Sequence, residues 1–259
     1  MTHERRVFGK GGEVAQLSGK VALVTGASRG MGAAIARRLS RDGAAVALTY
    51  PTQTDSAAGL AAEIGRDGGQ ALAIQADSGN ESEIRAAVTA TVAAFGRLDI
   101  LVNNAGIAIA GPLEEVTVEQ FDRMVAVNIR GIFVAAQAAA VHMSAGARII
   151  NTGSVGSHLI RFPGLTLYAM TKAAVEGMTR GLARDLGPRG ITVNATQPGS
   201  IDTDMNPANG PYAAAMLEMI PSGRYGSVDE VANLVAFLAG NQSDYINGAT
   251  LTIDGGYTA

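Results

Sequence analysis

From Lys20 onward the chain alternates short runs of Val, Ile, Leu and Ala with longer stretches of helical period, and this alternation restricts its fold. The runs "VALVT" (21–25), "AAVALTY" (44–50), "QALAIQAD" (70–77), "LDILVNNAG" (98–106), "ARIINTGS" (147–154), "ITVNATQPG" (191–199) and "ATLTID" (249–254) read as strands. Between them the pattern predicts helices near 29–43, 55–67, 80–95, 117–143, 166–186, 211–220 and 228–239. Strands apolar on both faces and separated by helices mean a parallel sheet covered on both sides. With no Pro-, Gly- or Ser-rich linker, residues 18–259 read as one doubly wound α/β domain. Ligands are then expected beyond the carboxyl ends of the strands. Residues 1–17 read as a loosely ordered N-terminal extension.

Composition removes several classes of function. The net charge of −3 comes without a Lys/Arg cluster, so nucleic acid is not an expected partner. There is no cysteine, which excludes disulfides, thiolate chemistry and Cys-ligated metal. His3, His142 and His158 are scattered, and no metal site is expected. No stretch has the length and apolarity of a signal peptide or membrane span, so a cytoplasmic protein without a membrane partner is expected.

"VTGASRGMG" puts Gly26, Gly30 and Gly32 between the first strand and the first helix. Glycines there let the backbone approach a pyrophosphate, and the helix N-terminus offers free N–H groups. The end of the second strand, "LTYPTQTDS", holds Thr49, Tyr50 and Thr52 and no acid before Asp55. A carboxylate at that place would hold the ribose 2′-hydroxyl of NAD and repel a 2′-phosphate. Its absence, with Arg29 in the glycine turn as a phosphate partner, favours NADPH over NADH. Asp77 and Ser78 end the third strand where an adenine ring would lie, unless Asp77 merely caps the next helix.

Further along, Tyr168 and Lys172 are four residues apart in a helical stretch and so share a face. Ser154 lies at the tip of the fifth strand, 14 residues before Tyr168. Asn128 interrupts a helical stretch, where Asn is a poor helix former, and fits a local irregularity with an inward amide.

With "TGASRGMG" (25–32), "NNAG" (103–106), Asn128, Ser154 in "TGSVG", "YAMTK" (168–172), "PGSIDT" (198–203) and "DGG" (254–256), the chain resembles the short-chain dehydrogenase/reductase family over about residues 18–257. It looks most similar to bacterial members of the 3-oxoacyl-carrier-protein reductase type. The resemblance implies a Rossmann fold with a parallel seven-stranded sheet. It also implies an NAD(P)-dependent enzyme that reduces a ketone or 3-oxoacyl carbonyl to a secondary alcohol. In that scheme Tyr168 is the general acid/base, Lys172 its charged neighbour, Ser154 the carbonyl polariser and Asn128 part of a proton relay. The roles are physically sensible: a phenol needs a nearby positive charge to transfer a proton near neutral pH, and a hydroxyl stabilises charge developing on the carbonyl oxygen.

The implied cofactor contacts begin with Gly26, Ser28, Arg29, Gly30, Met31 and Gly32. Tyr50, Thr52, Asp77 and Ser78 follow, then Asn103, Asn104, Ala105 and Gly106 beside the ribose. Tyr168, Lys172, Pro198, Gly199, Ile201 and Thr203 complete the set. Substrate selection is expected in 155–167 and in a Met-containing stretch at about 204–225, where Met216 and Met219 serve either an adaptable lid or the core. Arg161 and Arg224 are surface cations in this reading. A homotetramer, or a homodimer, built through the helices near 117–143 and 166–186 is implied. Two other functions stay open: an NAD-dependent alcohol, sugar or steroid dehydrogenase, and a nucleotide-binding regulator without turnover.

Overall fold

The computed structural model describes residues 16–52 and 54–259. Seven strands form one parallel sheet: β1 (Val21–Val24), β2 (Ala45–Tyr50), β3 (Ala71–Gln75), β4 (Ile100–Asn103), β5 (Arg148–Thr152), β6 (Thr192–Pro198) and β7 (Thr250–Ile253). The helices are α1 (Gly30–Arg41), α2 (Thr54–Arg66), α3 (Glu81–Phe95), α4 (Val118–Val125), α5 (Gly131–Ala140), α6 (Thr166–Leu186), α7 (Ala213–Glu218) and α8 (Val228–Ala239). The strand order is β3-β2-β1-β4-β5-β6-β7. The chain therefore works outward from β1 in one direction and restarts beside it with β4. A ligand crevice opens at such a reversal, above the carboxyl ends of β1 and β4.

The apolar strands divide their side chains between two cores, as their period of two requires. Ala22, Val24, Val46, Leu48, Ile100, Val102 and Ile150 face one core with α1, α2 and α8. Leu23, Ala47, Leu101, Ile149 and Val193 face the other with α3, α5 and α6. Small residues on α1, among them Ala33, Ala34 and Ala36, are buried in the first core. Burying a Leu- or Ile-sized side chain stabilises by about 1.5–3 kcal/mol, so the two layers supply most of the driving force.

Three boundaries differ from expectation. Leu17 is buried, and its N–H donates to Asp42 O at 2.7 Å, so the packed domain starts at least one residue before 18. Residues 1–15 of the expected extension lie outside the described residues. The stretch 117–143 is not one regular helix: α4 and α5 are joined by a π-helical turn, Ala126–Arg130, which carries Asn128. A π turn adds one residue to the local hydrogen-bonded ring and rotates a side chain out of the regular pattern. In 211–220 only α7 is regular helix.

No helix among the described residues is long and apolar enough to cross a membrane. Nor do those residues hold a cluster of His, Cys, Asp or Glu able to bind a metal ion.

Candidate active site

The glycine turn is built by close approach. Gly26 has φ +63°, and a Cβ there would stand 2.8 Å from Ala105 Cα. A Cβ on Gly32 would stand 2.4 Å from Gly26 O and 2.6 Å from Asn104 Nδ2. All three distances are too short for a side chain, so the turn and the segment after β4 can only meet through glycine. They are then stitched together. Thr25 Oγ1 accepts the N–H groups of Asn104 (3.0 Å) and Ala105 (3.1 Å), while the Asn104 amide donates to Thr25 O and Gly26 O at 3.0 Å each.

The first turn of α1 follows with no side-chain cap. Its N–H groups and positive dipole end face the crevice, a cradle that fits a pyrophosphate. Met31 and Ser28 are half-buried on this turn. Thr203 packs above it, 3.8 Å from the place of a Gly30 Cβ. Arg29 pairs with Asp204 at 3.0 Å on the surface, which links the turn to the 204–225 segment.

Two polar residues singled out in the sequence point away from the crevice. Asn103 is buried and donates from Nδ2 to Asn151 Oδ1 at 2.9 Å, inside the sheet. Successive strand side chains face opposite sides, so Asn103 serves the sheet, and its successors reach the crevice. Thr49 is buried, and its hydroxyl accepts the Gly26 N–H at 3.1 Å, while Thr52 is exposed and Tyr50 ends the strand.

Asp77 is not the cap of α3; Asn80 is, accepting the Ser82 and Glu83 N–H groups. Asp77 pairs instead with Arg123 at 3.0 Å. Burial opposes its ionisation, but the Arg123 guanidinium and the Gly79 N–H hold its carboxyl below the ordinary range. Ser78 O lies against Gly131, where a Cβ would come within 2.1 Å of it. Gly199 has a similar duty: a Cβ there would stand 2.7 Å from Asp254 Cβ. Pro198 and Ile201 are buried beside it.

The four candidate catalytic residues come together around two glycines. Ser154 starts a 3-10 turn, Val155–Ser157, and its Oγ accepts the Gly156 N–H at 3.1 Å. A Cβ on Gly156 would lie 3.4 Å from both Ser154 Oγ and Tyr168 Cε1, so the hydroxyl and the phenol ring flank the same point. Lys172 is buried, with Nζ 5.7 Å from the Tyr168 ring centroid, and donates to Thr152 O at 2.9 Å. A Cβ on Gly106 would lie 3.5 Å from both Lys172 Nζ and Asn128 Oδ1. Asn128 is fully buried: Oδ1 accepts the Ile107 N–H (2.9 Å), and Nδ2 donates to Ile107 O (2.9 Å) and Thr171 Oγ1 (3.1 Å).

The substrate segments form the outer wall. Val155, Ala213, Ile220, Tyr225 and Tyr257 make a third apolar cluster, with Met216 and Met219 packed against it. Phe162 and Tyr212 meet across the two segments with ring centroids 6.5 Å apart. Arg161 stands over the Tyr257 ring at 5.8 Å, and Arg224 forks onto Glu230, whose carboxyl it and Ser227 draw down to about 2. Sequence reading missed Gln197, a buried amide near the end of β6, whose one signal is a long polar side chain directly before Pro198.

The family model described as "Enoyl-(Acyl carrier protein) reductase" matches residues 26–258. A short chain dehydrogenase from Burkholderia cenocepacia J2315, solved in complex with NADP, is 53% identical with a TM-score of 0.93, over 94% of this chain and 100% of that one. The cyclic-di-GMP-binding biofilm dispersal mediator protein of Escherichia coli (strain K12) is 45% identical over 93% of this chain and 98% of its own. Elsinochrome reductase 1 of Elsinoe fawcettii is 40% identical over 93% of this chain and 95% of its own. With the glycine turn, the seven-stranded order and these relatives together, the chain belongs to the short-chain dehydrogenase/reductase family of NAD(P)-dependent oxidoreductases.

Proposed function

We propose that this protein reduces a ketone or 3-oxoacyl carbonyl to a secondary alcohol, with NADPH as the preferred cofactor and NADH the alternative. The observation that carries this reading is the convergence of Ser154, Tyr168 and Lys172 around Gly156 and Gly106. When bound, NADPH supplies the hydride that the carbonyl carbon receives. The Ser154 hydroxyl donates to the carbonyl oxygen as negative charge grows on it, an oxyanion-type role. Tyr168 gives its phenolic proton to that oxygen, which completes the alcohol. The Lys172 ammonium, held by Thr152 O, stabilises the phenolate left behind. Asn128 fixes the Ile107 backbone beside the ammonium and belongs to the path that returns a proton.

The choice of NADPH is supported by the acid-free end of β2, by Arg29 on the glycine turn and by the NADP held in the Burkholderia cenocepacia structure. Met31, Ser28, Asp77, Ser78, Ala105 and Ile201 complete the proposed cofactor wall. A homotetramer in the cytoplasm fits the exposed Phe133 and Val141 of the α5 region and Met170 of α6. The test is a panel of ketones, 3-oxoacyl thioesters and enoyl thioesters with NADPH and with NADH, followed at the nicotinamide absorbance. Oxidation of NADPH by ketones or 3-oxoacyl thioesters is expected; turnover of enoyl thioesters alone would refute the reading. The name of the Escherichia coli relative favours a second reading, a regulator that binds a cyclic dinucleotide. Calorimetric titration with cyclic-di-GMP, with and without NADPH, decides whether that property extends here.

A further inference from the structure

A glutamine outside the expected catalytic set sits where three elements of the site meet. Gln197, 3% exposed, is the penultimate residue of β6, directly before Pro198. Its amide nitrogen donates to Ser157 Oγ at 2.9 Å and to Glu176 Oε1 at 2.5 Å. Its carbonyl oxygen accepts from Thr252 Oγ1 on β7 at 3.4 Å. A carboxylate only accepts, so a flipped amide would set oxygen against oxygen, and one orientation is enforced. The stem is fitted as well: a Cβ on Gly153 would lie 3.4 Å from Gln197 Cγ.

Each end of this link supports a reacting group. Ser157 closes the turn that Ser154 opens, and its N–H donates to Ser154 O at 3.0 Å. Glu176 lies on α6 one turn past Lys172 and two past Tyr168. Arg180 and His158 stand farther from Glu176, at 3.9 Å each, so the amide is the nearer partner. One NH₂ group thus ties the turn carrying the carbonyl-polarising hydroxyl to the helix carrying the proton donor.

The geometry assigns Gln197 as a positioning residue that sets Ser154 against Tyr168, with Glu176 as its anchor on α6 and Ser157 as its hold on the turn. This rests on the carbonyl-reduction reading above. Gln197 transfers no proton itself; it acts through distance. A misplacement of about 1 Å in a reacting constellation costs on the order of a hundredfold in rate.

The test compares Q197L, S157A, E176A and E176Q. Q197L is expected to lower kcat about 10- to 100-fold while the Kd for NADPH, read by nicotinamide fluorescence, stays within about threefold. E176A falls with it, and E176Q, which keeps an oxygen acceptor, recovers most of the rate. Because the residues act as one link, Q197L/S157A is expected to be no slower than Q197L alone, a non-additive cycle. Hydrogen exchange in the peptide 153–158 is expected to quicken in Q197L while that of 26–32 is unchanged, a readout that needs no turnover.

A Q197L kcat within threefold of wild type, losses that multiply in the double variant, or unchanged exchange at 153–158 would overturn the assignment. Should Q197L not fold, S157A and E176A carry the same comparison. If the wild-type enzyme turns over no carbonyl, the reduction reading fails, and the exchange measurement still decides the link.

Discussion

Asn128 is the residue whose removal the structure prices most clearly. Its amide makes three bonds in a site without water-facing surface: from Ile107 N–H, to Ile107 O and to Thr171 Oγ1. A buried hydrogen bond contributes about 1 kcal/mol net, and a stranded partner costs about 1–3 kcal/mol. Asn128→Ala strands Ile107 at both ends, so a loss of about 2–4 kcal/mol is expected, the lower figure applying if water enters the space left. At about 2–4 °C per kcal/mol for a domain of this size, Tm falls by about 4–16 °C.

Asn128→Asp sharpens the test. It keeps an acceptor for the Ile107 N–H but sets a buried carboxylate against Ile107 O, so it should be at least as unstable near neutral pH. Urea and thermal unfolding of the three proteins, with and without NADPH, make the measurement. Because Ile107 adjoins Gly106 and the Lys172 ammonium, both variants should also lose turnover. An Asn128→Ala protein within about 1 kcal/mol of wild type would refute the accounting of these three bonds, and with it the view that the π turn exists to bury this amide.

Three further outcomes follow from the geometry. Tyr168→Phe removes only a hydroxyl, so kcat should fall about 10²- to 10⁴-fold with NADPH affinity kept; a variant of unchanged kcat would contradict the proton-donor role. Arg29→Ala should weaken NADPH about tenfold relative to NADH, whereas Asp204→Asn should leave Tm nearly unchanged, because exposed ion pairs contribute about 0–1 kcal/mol. An unaltered NADPH/NADH ratio in Arg29→Ala would count against the phosphate contact.

Asp254 accepts from the Gly256 and Thr258 N–H groups and the Thr258 hydroxyl, and despite burial these bonds hold its carboxyl below the ordinary range. A depressed folded pKa stabilises above the unfolded value, about 3.9, and that stabilisation is lost as pH falls through the lower folded value. Asp254→Asn should therefore lower Tm at pH 7, with the gap to wild type closing below about pH 4. A gap that does not narrow as pH falls below about 4 would show that the carboxylate charge is not the cause.

Much of this site is legible in the sequence because its signals are local. The glycine turn is a strand, three glycines and a helix in immediate succession; Gly26 and Gly32 make contacts that a Cβ would destroy, and Gly30 holds a φ of +55° that favours glycine. Tyr168 and Lys172 are one helical turn apart, and Asn128 is out of place in a helix, which the π turn explains. What escapes is set by register between distant strands. Asn103 and Asn104 look alike in "NNAG", yet β4 pairs Asn103 with Asn151 and turns it inward, while Asn104 goes to the glycine turn. Thr49 stands at a strand end as a ribose ligand would, but its hydroxyl is taken by the Gly26 N–H.

Glu176 and Gln197 show the same limit within the active site. The four-residue step from Tyr168 to Lys172 continues to Glu176, so a third polar residue on that helix face can be read directly from the sequence. Its partner cannot. Gln197 reaches Glu176 and Ser157 only because β6 runs in register between β5 and β7, which places Thr196 beside Thr152 and Gln197 beside Thr252. A helix face is a property of a few consecutive residues, whereas the spacing of Ser154 from Tyr168 is a property of the whole sheet edge.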